Sequence, residues 1–274
     1  MGSWRNNRRR NEIIVIDKTP SPFSGANVMN DPYFYEGTSV LRNLLNIYDE
    51  RELDLAESEI SSANMMLLYE KGFTDFSTNG IKEIHKTLFG DIYDWAGNFR
   101  IMNIQKREKI LAGKSVWYAN DYDIERDLEL GWAKISKIPW EHLKREEFAK
   151  NLSLTFPPLW QVHPFRDGNT RTMVMLMTFF VEHYGFHFDQ ELLVASAGYV
   201  RDAFVMACLG EYSEYEHLER ILFDSISDVP ITQIDDLDEV VDLERTEKYE
   251  RYQTENYQPT PHEYRADMSK NVAE

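Results

Sequence analysis

The chain has 274 residues, 42% of them hydrophobic and 28% charged, which is enough apolar sequence to bury a sizeable core in one large domain with tails. A formal charge of −17 argues against a general nucleic-acid binder, whose phosphate contacts need a basic surface. The single cysteine, Cys208, cannot form an internal disulfide, and the longest nearly apolar run, Met173 to Val181, is too short to cross a bilayer. The sequence therefore reads as cytoplasmic, with neither nucleic acid nor membrane as a partner.

Residues 1–34 read as an N-terminal extension, with a basic start from Arg5 to Arg10, strand character at Glu12-Ile-Ile-Val-Ile-Asp17 and a loop from Thr19 to Gly25. A compact domain is predicted over 35–223. Leu41, Leu44, Leu45 and Tyr48 recur at helical spacing, and further helical patterns cover Leu53 to Tyr69 and Ile81 to Phe89. Between Trp95 and Lys106 the period changes: Phe99, Ile101 and Asn103 alternate with Arg100, Met102 and Ile104, as in a short hairpin. Helical spacing resumes at Tyr122 to Ile135 and at Trp140 to Thr155. Pro157-Pro158 is predicted to break or kink that segment, since neither proline supplies a backbone donor. An apolar helix from about Thr172 to Tyr184 follows, closed by Gly185, and then helices at Asp189 to Leu209 and Ser213 to Ser225. Residues 224–274 form an acidic tail, with eleven acids against three bases between Asp224 and Glu255, expected to be solvated and partly helical or disordered. The pattern is all-α: a helical bundle with one short β-hairpin flap.

The densest chemistry lies in His163-Pro-Phe-Arg-Asp167-Gly168-Asn169-Thr170-Arg171, immediately ahead of the apolar helix. The first backbone N–H groups of that helix have no intrahelical acceptor and sit at the positive end of its dipole, which makes an anion site. Gly168 lets the backbone approach a phosphate, Asn169 adds a polar side chain, and Arg171 has the fork geometry to clamp phosphate oxygens. Asp167 offers a carboxylate to Mg²⁺, which binds through one or two carboxylates plus substrate phosphates. His163 has an ordinary pKa near neutrality and suits deprotonation of an attacking hydroxyl. Taken singly, each residue has a plain structural account, a helix cap or a packed histidine. Those accounts do not explain the residues in this order, which together make a phosphoryl or nucleotidyl transfer site.

The segment resembles the signature of the Fic family, His-x-Phe-x-(Asp/Glu)-Gly-Asn-Gly-Arg-x-x-Arg. Tyr35-Glu-Gly-Thr-Ser-Val-Leu-Arg-Asn43 is similar to the entry of a Fic domain of the cell-filamentation type, and Trp95 to Lys106 to the family's flap. The resemblance implies a protein adenylyltransferase that moves AMP from Mg-ATP to a Ser, Thr or Tyr hydroxyl of a target protein, the chain itself being one candidate target. It implies His163 as general base, Phe165 as core anchor, Asp167 as Mg²⁺ ligand, and Gly168, Asn169, Thr170 and Arg171 as the phosphate-binding turn. Arg100, Ile101, Met102, Asn103, Ile104 and Lys106 would form the flap that holds the target as an added strand.

Two positions depart from the signature. Thr170 replaces its third glycine, and a β-branched residue there requires ordinary helical or bridge geometry. Val174 stands where the signature has its second arginine, which in the family orients the γ-phosphate and pairs with an inhibitory glutamate. The sequence leaves two alternatives open: a Fic-fold enzyme that uses another nucleotide or removes AMP, and a non-catalytic binding module. Other candidates are weaker. Glu250 in Thr246-Glu-Lys-Tyr-Glu250-Arg251 only partly matches the family's inhibitory motif. His183 and His187 lack a third metal ligand, and Tyr199 and Arg201 are equally consistent with an adenine pocket, with packing and with a surface ion pair.

Overall fold

The computed structural model describes residues 31–228 and 246–259. In chain order the helices are α1 (Glu50–Lys71), α2 (Thr78–Phe89), α3 (Ile124–Ile135), α4 (Arg145–Val162), α5 (Asn169–His183), α6 (Gln190–Ala195), α7 (Ala197–Met206) and α8 (Glu216–Ser225). Among the described residues the only strands are β1 (His187–Phe188) and β2 (Ile226–Ser227), which pair antiparallel. No described helix is long and apolar enough to cross a membrane.

Helix α5 is the centre. Every residue from Thr172 to Val181 is buried, so this helix is apolar all round and is wrapped by others rather than laid on a surface. Helix α2 turns one stripe inward, Ile81, Ile84, His85, Leu88 and Phe89, and packs on α5 and α1. Helix α4 packs on α3, α5 and α8, and Gly131 of α3 lets the Leu159 side chain approach to where a Cβ would lie 2.4 Å away. Side-chain caps fix two starts: Asp49 accepts the Glu52 N–H at 2.9 Å ahead of α1, and Ser77 accepts the Gly80 N–H at 3.3 Å ahead of α2. Each cap is worth about 1 kcal/mol.

The all-α reading holds, and four local expectations are corrected. Residues 41–48 are not helical: Leu41 bridges to Phe34, and the Asn43 side chain bonds the carbonyls of Leu41 and Ile47 and the N–H of Ile47. A short polar side chain there offers the backbone partners that compete with a helix. Second, α4 continues through Pro157 and Pro158 to Val162 instead of breaking there. Packing of Phe156, Leu159 and Trp160 in the core outweighs the missing donors. Third, no strand forms at 95–106; Trp95 to Asn98 is a turn, Ile101 and Met102 lie in a bend, 103–108 has no regular structure, and the chain reverses only at 108–113. Fourth, the long helix expected from Asp189 breaks at Ser196 into α6 and α7.

The domain limits shift as well. Tyr33 is buried and Asp31 pairs with Arg166, so the folded unit includes residues placed in the N-terminal extension. At the other end α8 and β2 continue past 223, and part of the expected tail is packed. Residues 246–251 are helical, and Tyr252 and Tyr257 are buried against α7 and α8. Tyr252 donates to Asp224 at 2.7 Å, and Tyr257 stacks on His217 at 4.2 Å. The strand expected at 12–17, the basic start and the acidic stretch at 229–245 lie outside the described residues.

Candidate functional site

Helix α4 ends at His163 because Pro164 follows: the proline ring disfavours right-handed helical geometry in the residue before it. His163 takes φ 50°, ψ 59°, a left-handed conformation costly for a residue with a side chain. Two hydrogen bonds hold it there. Its N–H donates to the Trp160 carbonyl at 3.0 Å, and its carbonyl accepts from Arg100 Nε at 2.9 Å. The ring is fully buried, stacked on Tyr118 at 4.1 Å and edge-on to Trp160 at 5.2 Å, and neither ring nitrogen has a hydrogen-bond partner. Burial, followed by the positive charges of Lys106 and Arg201, pushes its pKa well below the ordinary histidine value, so the imidazole is neutral at pH 7.

The loop after His163 is stapled shut. The Asn169 side chain accepts the Phe165 N–H and donates to the Phe165 carbonyl, both at 2.9 Å. Phe165 is buried and stacks on His85 at 3.7 Å. Gly168 sits at φ 75°, and a Cβ there would meet the Phe89 ring at 2.4 Å, so both conformation and space require glycine. Helix α5 begins at Asn169, and the N–H groups of Asn169, Thr170 and Arg171 have no acceptor among the described residues. These are the expected anion donors. Thr170 is helical, and its hydroxyl accepts the Trp160 indole N–H at 3.1 Å.

Asp167 lies at the mouth of this turn. Its Oδ1 accepts the Gly168 N–H at 2.7 Å and pairs with Lys106 Nζ at 3.3 Å. A lone carboxylate beside an anion cradle matches the way Mg²⁺ is held, by few protein oxygens plus phosphates. Among the described residues no group of three acidic, histidine or cysteine side chains forms a separate metal cage.

Four expected site residues are placed otherwise. Arg171 turns away from the cradle: it bonds Ser61 at 2.8 Å, pairs with Glu57 of α1, which also binds the Tyr93 hydroxyl, and lies over the Phe89 ring. Asn169 serves the loop backbone with its side chain, leaving only its N–H for an anion. Arg100 is buried rather than presented to a target. Besides the His163 carbonyl it donates to the carbonyls of Met102 at 2.7 Å and of Ala119, and so ties the flap to the turn at His163. Lys106 also faces inward, on Asp167. That leaves Ile101, Met102, Asn103 and Ile104 as the flap's outer part, with side-chain exposure alternating from Ile101 to Lys106. The N–H groups of Met102 to Gln105 have no partner among the described residues.

Sequence reasoning missed His85, Glu108 and Tyr118. His85 accepts the Gly97 N–H on Nδ1 at 2.9 Å, which leaves Nε2–H to donate to the Asp167 carbonyl at 3.0 Å. Burial pushes its pKa down to about 3, so this neutral tautomer is the stable one. A histidine inside the stripe Ile81, Ile84, Leu88, Phe89 was the available signal. Glu108 is buried and takes two bonds from Arg201, at 3.0 and 2.7 Å, and one from the Tyr118 hydroxyl at 3.1 Å. Arg201 thus belongs to the site's cation set. Tyr199 instead bonds His217 at 2.6 Å and packs edge-on against Tyr252 and Tyr257.

A helical bundle that holds a neutral, unpartnered histidine beside a helix N-terminus, a carboxylate and two cations is an arrangement suited to phosphate chemistry. Residues 75–181 match the Fic/DOC family. A probable protein adenylyltransferase of Sinorhizobium fredii, y4lH, is 33% identical over 171 residues, covering 61% of this chain and 83% of the relative. The protein adenylyltransferase VbhT of Bartonella schoenbuchensis is 31% identical over 161 residues, 58% of this chain but only 32% of VbhT. Among solved structures, the N-terminal Fic domain of a putative cell filamentation protein of Bartonella quintana superposes with a TM-score of 0.64 at 23% identity, covering 76% of this chain and 97% of that one. BepC of Bartonella tribocorum with bound AMPPNP gives a TM-score of 0.64 at 21% identity, covering 74% and 100%. The chain belongs to the Fic/DOC family.

Proposed function

We propose that this chain is a protein adenylyltransferase that moves AMP from Mg-ATP to a hydroxyl of a target protein, with His163 as general base. The observation that carries the reading is the buried imidazole with both nitrogens unbonded, neutral, and six residues ahead of the α5 amides that have no acceptor among the described residues. The curated relatives named protein adenylyltransferases support it.

In this reading the target segment adds to the flap edge by main-chain bonds, which places a hydroxyl at His163 without demanding a particular sequence. His163 takes the hydroxyl proton as the oxygen attacks the α-phosphate. The bond from the α-phosphorus to the bridging oxygen breaks, and pyrophosphate leaves. The amides of Asn169, Thr170 and Arg171 face the developing phosphate charge from a rigid turn that needs no reorganisation. Asp167 would hold Mg²⁺, which supplies charge neutralisation to the phosphates. Incubation with ATP labelled at the α-phosphate is expected to label protein, and His163→Ala is expected to abolish the label. Persistent labelling by that variant removes His163 from the role.

Val174 favours a second reading, in which the same turn takes another nucleotide or removes AMP. It is buried at the position where the signature has an arginine. A panel of nucleotides carrying label at each phosphate distinguishes the two, since exclusive transfer from the α-position of ATP excludes the second.

A further inference from the structure

Helix α5 offers no side-chain cation to the distal end of a nucleotide. Val174 is apolar and buried, and Arg171 is bound to Glu57 and Ser61 on the far side. The cation that reaches the mouth of the turn comes from the flap. Lys106 Nζ stands 3.3 Å from Asp167 Oδ1, with the lysine side chain 16% exposed and the aspartate 29%.

The placement of Lys106 is built. Its backbone N–H donates to Ser115 Oγ at 3.1 Å. Two residues on, the Glu108 N–H bonds the Lys114 carbonyl at 2.8 Å, while the Glu108 carboxylate holds Arg201 and Tyr118. The ring of that same Tyr118 stacks on His163. Lys106, Arg201 and His163 are thus tied to one short return of chain, and Lys106 and Arg201 are the positive groups acting on the base. A partly desolvated ammonium among other cations is stabilised by added negative charge. A lysine is a compact charge on a flexible stem that can move from a carboxylate to a nearby phosphate oxygen.

We propose that Lys106 is the residue that binds the polyphosphate tail of the nucleotide, a role that no side chain of α5 performs in this chain. Because its side chain points inward, Lys106 discriminates among nucleotides by phosphate number and does not grip the target. The inference rests on the transfer reading only in taking a polyphosphate as the ligand.

The test is binding, by calorimetry on the full chain, of pyrophosphate, AMP, ADP and ATP with Mg²⁺ to the wild type, Lys106→Met and Lys106→Arg, with melting temperatures recorded for each. In Lys106→Met, affinity for pyrophosphate, ADP and ATP falls tenfold or more while affinity for AMP changes less than twofold. Lys106→Arg, which keeps the charge, restores most of the loss. An equal loss for AMP and ATP, no loss at all, or no restoration by arginine overturns the proposal. The two readings fail separately. If Lys106 governs polyphosphate affinity but wild-type protein is never labelled from ATP, the transfer reading fails and this one stands. If labelling is normal and Lys106→Met binds pyrophosphate as the wild type does, this one fails alone.

Discussion

The turn after His163 and the flap edge lie side by side and are finished to opposite degrees. From Phe165 to Arg171 each side chain beyond Cβ has a partner: a ring stack for Phe165, Asp31 for Arg166, Lys106 for Asp167, the Phe165 backbone for Asn169, Trp160 for Thr170 and α1 for Arg171. Only His163 keeps both polar atoms unbonded. Along 102–105 of the flap, in contrast, the backbone N–H groups have no partner among the described residues. The difference fits the proposed roles: a turn that holds phosphates in one geometry would be over-determined, whereas an edge that accepts a foreign strand would keep its hydrogen-bonding capacity.

The largest effect is expected where the turn is most tightly closed. Asn169→Ala removes two hydrogen bonds and strands a buried N–H and carbonyl on Phe165, so it should cost about 2–4 kcal/mol of stability in urea unfolding. A loss below about 1 kcal/mol would show that the staple does not fix the turn. Thr170→Val keeps the shape but leaves the Trp160 indole N–H without its acceptor, an expected loss of about 1–2 kcal/mol. Glycine, the residue of the signature, should do no better at this position, since it removes the same acceptor and adds backbone entropy. A Thr170→Gly protein more stable than the wild type would mean that the Trp160 bond contributes nothing.

These two residues also mark how far the sequence could be read. The motif, the apolar helix behind it and the all-helical class were legible because periodicity and a specific residue order carry them. The helical placement of Thr170 followed from its branched Cβ, but its partner Trp160 was invisible, because hydrogen bonds between side chains ten positions apart leave no periodic trace. Arg171 was read as a phosphate clamp from its residue type and from its place in the signature. Its partner Glu57 lies more than a hundred residues away on α1, and only the packing of α1 and α2 beside α5 brings it near. The prolines of α4 and the segment at 41–48 misled for a related reason: local preference was overruled by core packing in one case and by the side chain of Asn43 in the other.

His85 and His163 give the comparison a pH axis. Both are buried with pKa values below the ordinary one near 6.5, His85 at about 3. Above pH 6.5 neither group distinguishes folded from unfolded chain. Below it the unfolded chain takes up protons that the folded protein refuses, so stability falls with falling pH, by about 1.4 kcal/mol per unit for each histidine, until the folded pKa is reached. Urea unfolding of the wild type and His85→Gln between pH 6 and 5 should therefore differ in slope by about one proton. Equal slopes would mean that His85 is charged in the folded protein and that its Nε2–H and Nδ1 roles are misassigned.

The smallest effect on stability is expected at the flap, where the effect on target modification should be large. The N–H groups of Lys106 and Glu108 point back to Ser115 and Lys114. Exposure alternates along 101–106, and Asn103 and Gln105 lie on its exposed side. Gln105→Pro removes one donor, bonded to nothing among the described residues, from an exposed position. Its unfolding free energy should stay within about 0.5 kcal/mol of the wild type, and its affinity for Mg-ATP should be unchanged. Labelling of protein should drop tenfold or more if the target docks there as an added strand, because a proline can neither donate to a ladder nor be replaced by water in doing so. Normal labelling with normal nucleotide affinity would place the target elsewhere, and the unpaired edge would then be simply a solvated loop. Lost nucleotide affinity would instead show that the substitution had disturbed Lys106, one residue on, and that edge and turn are mechanically one unit.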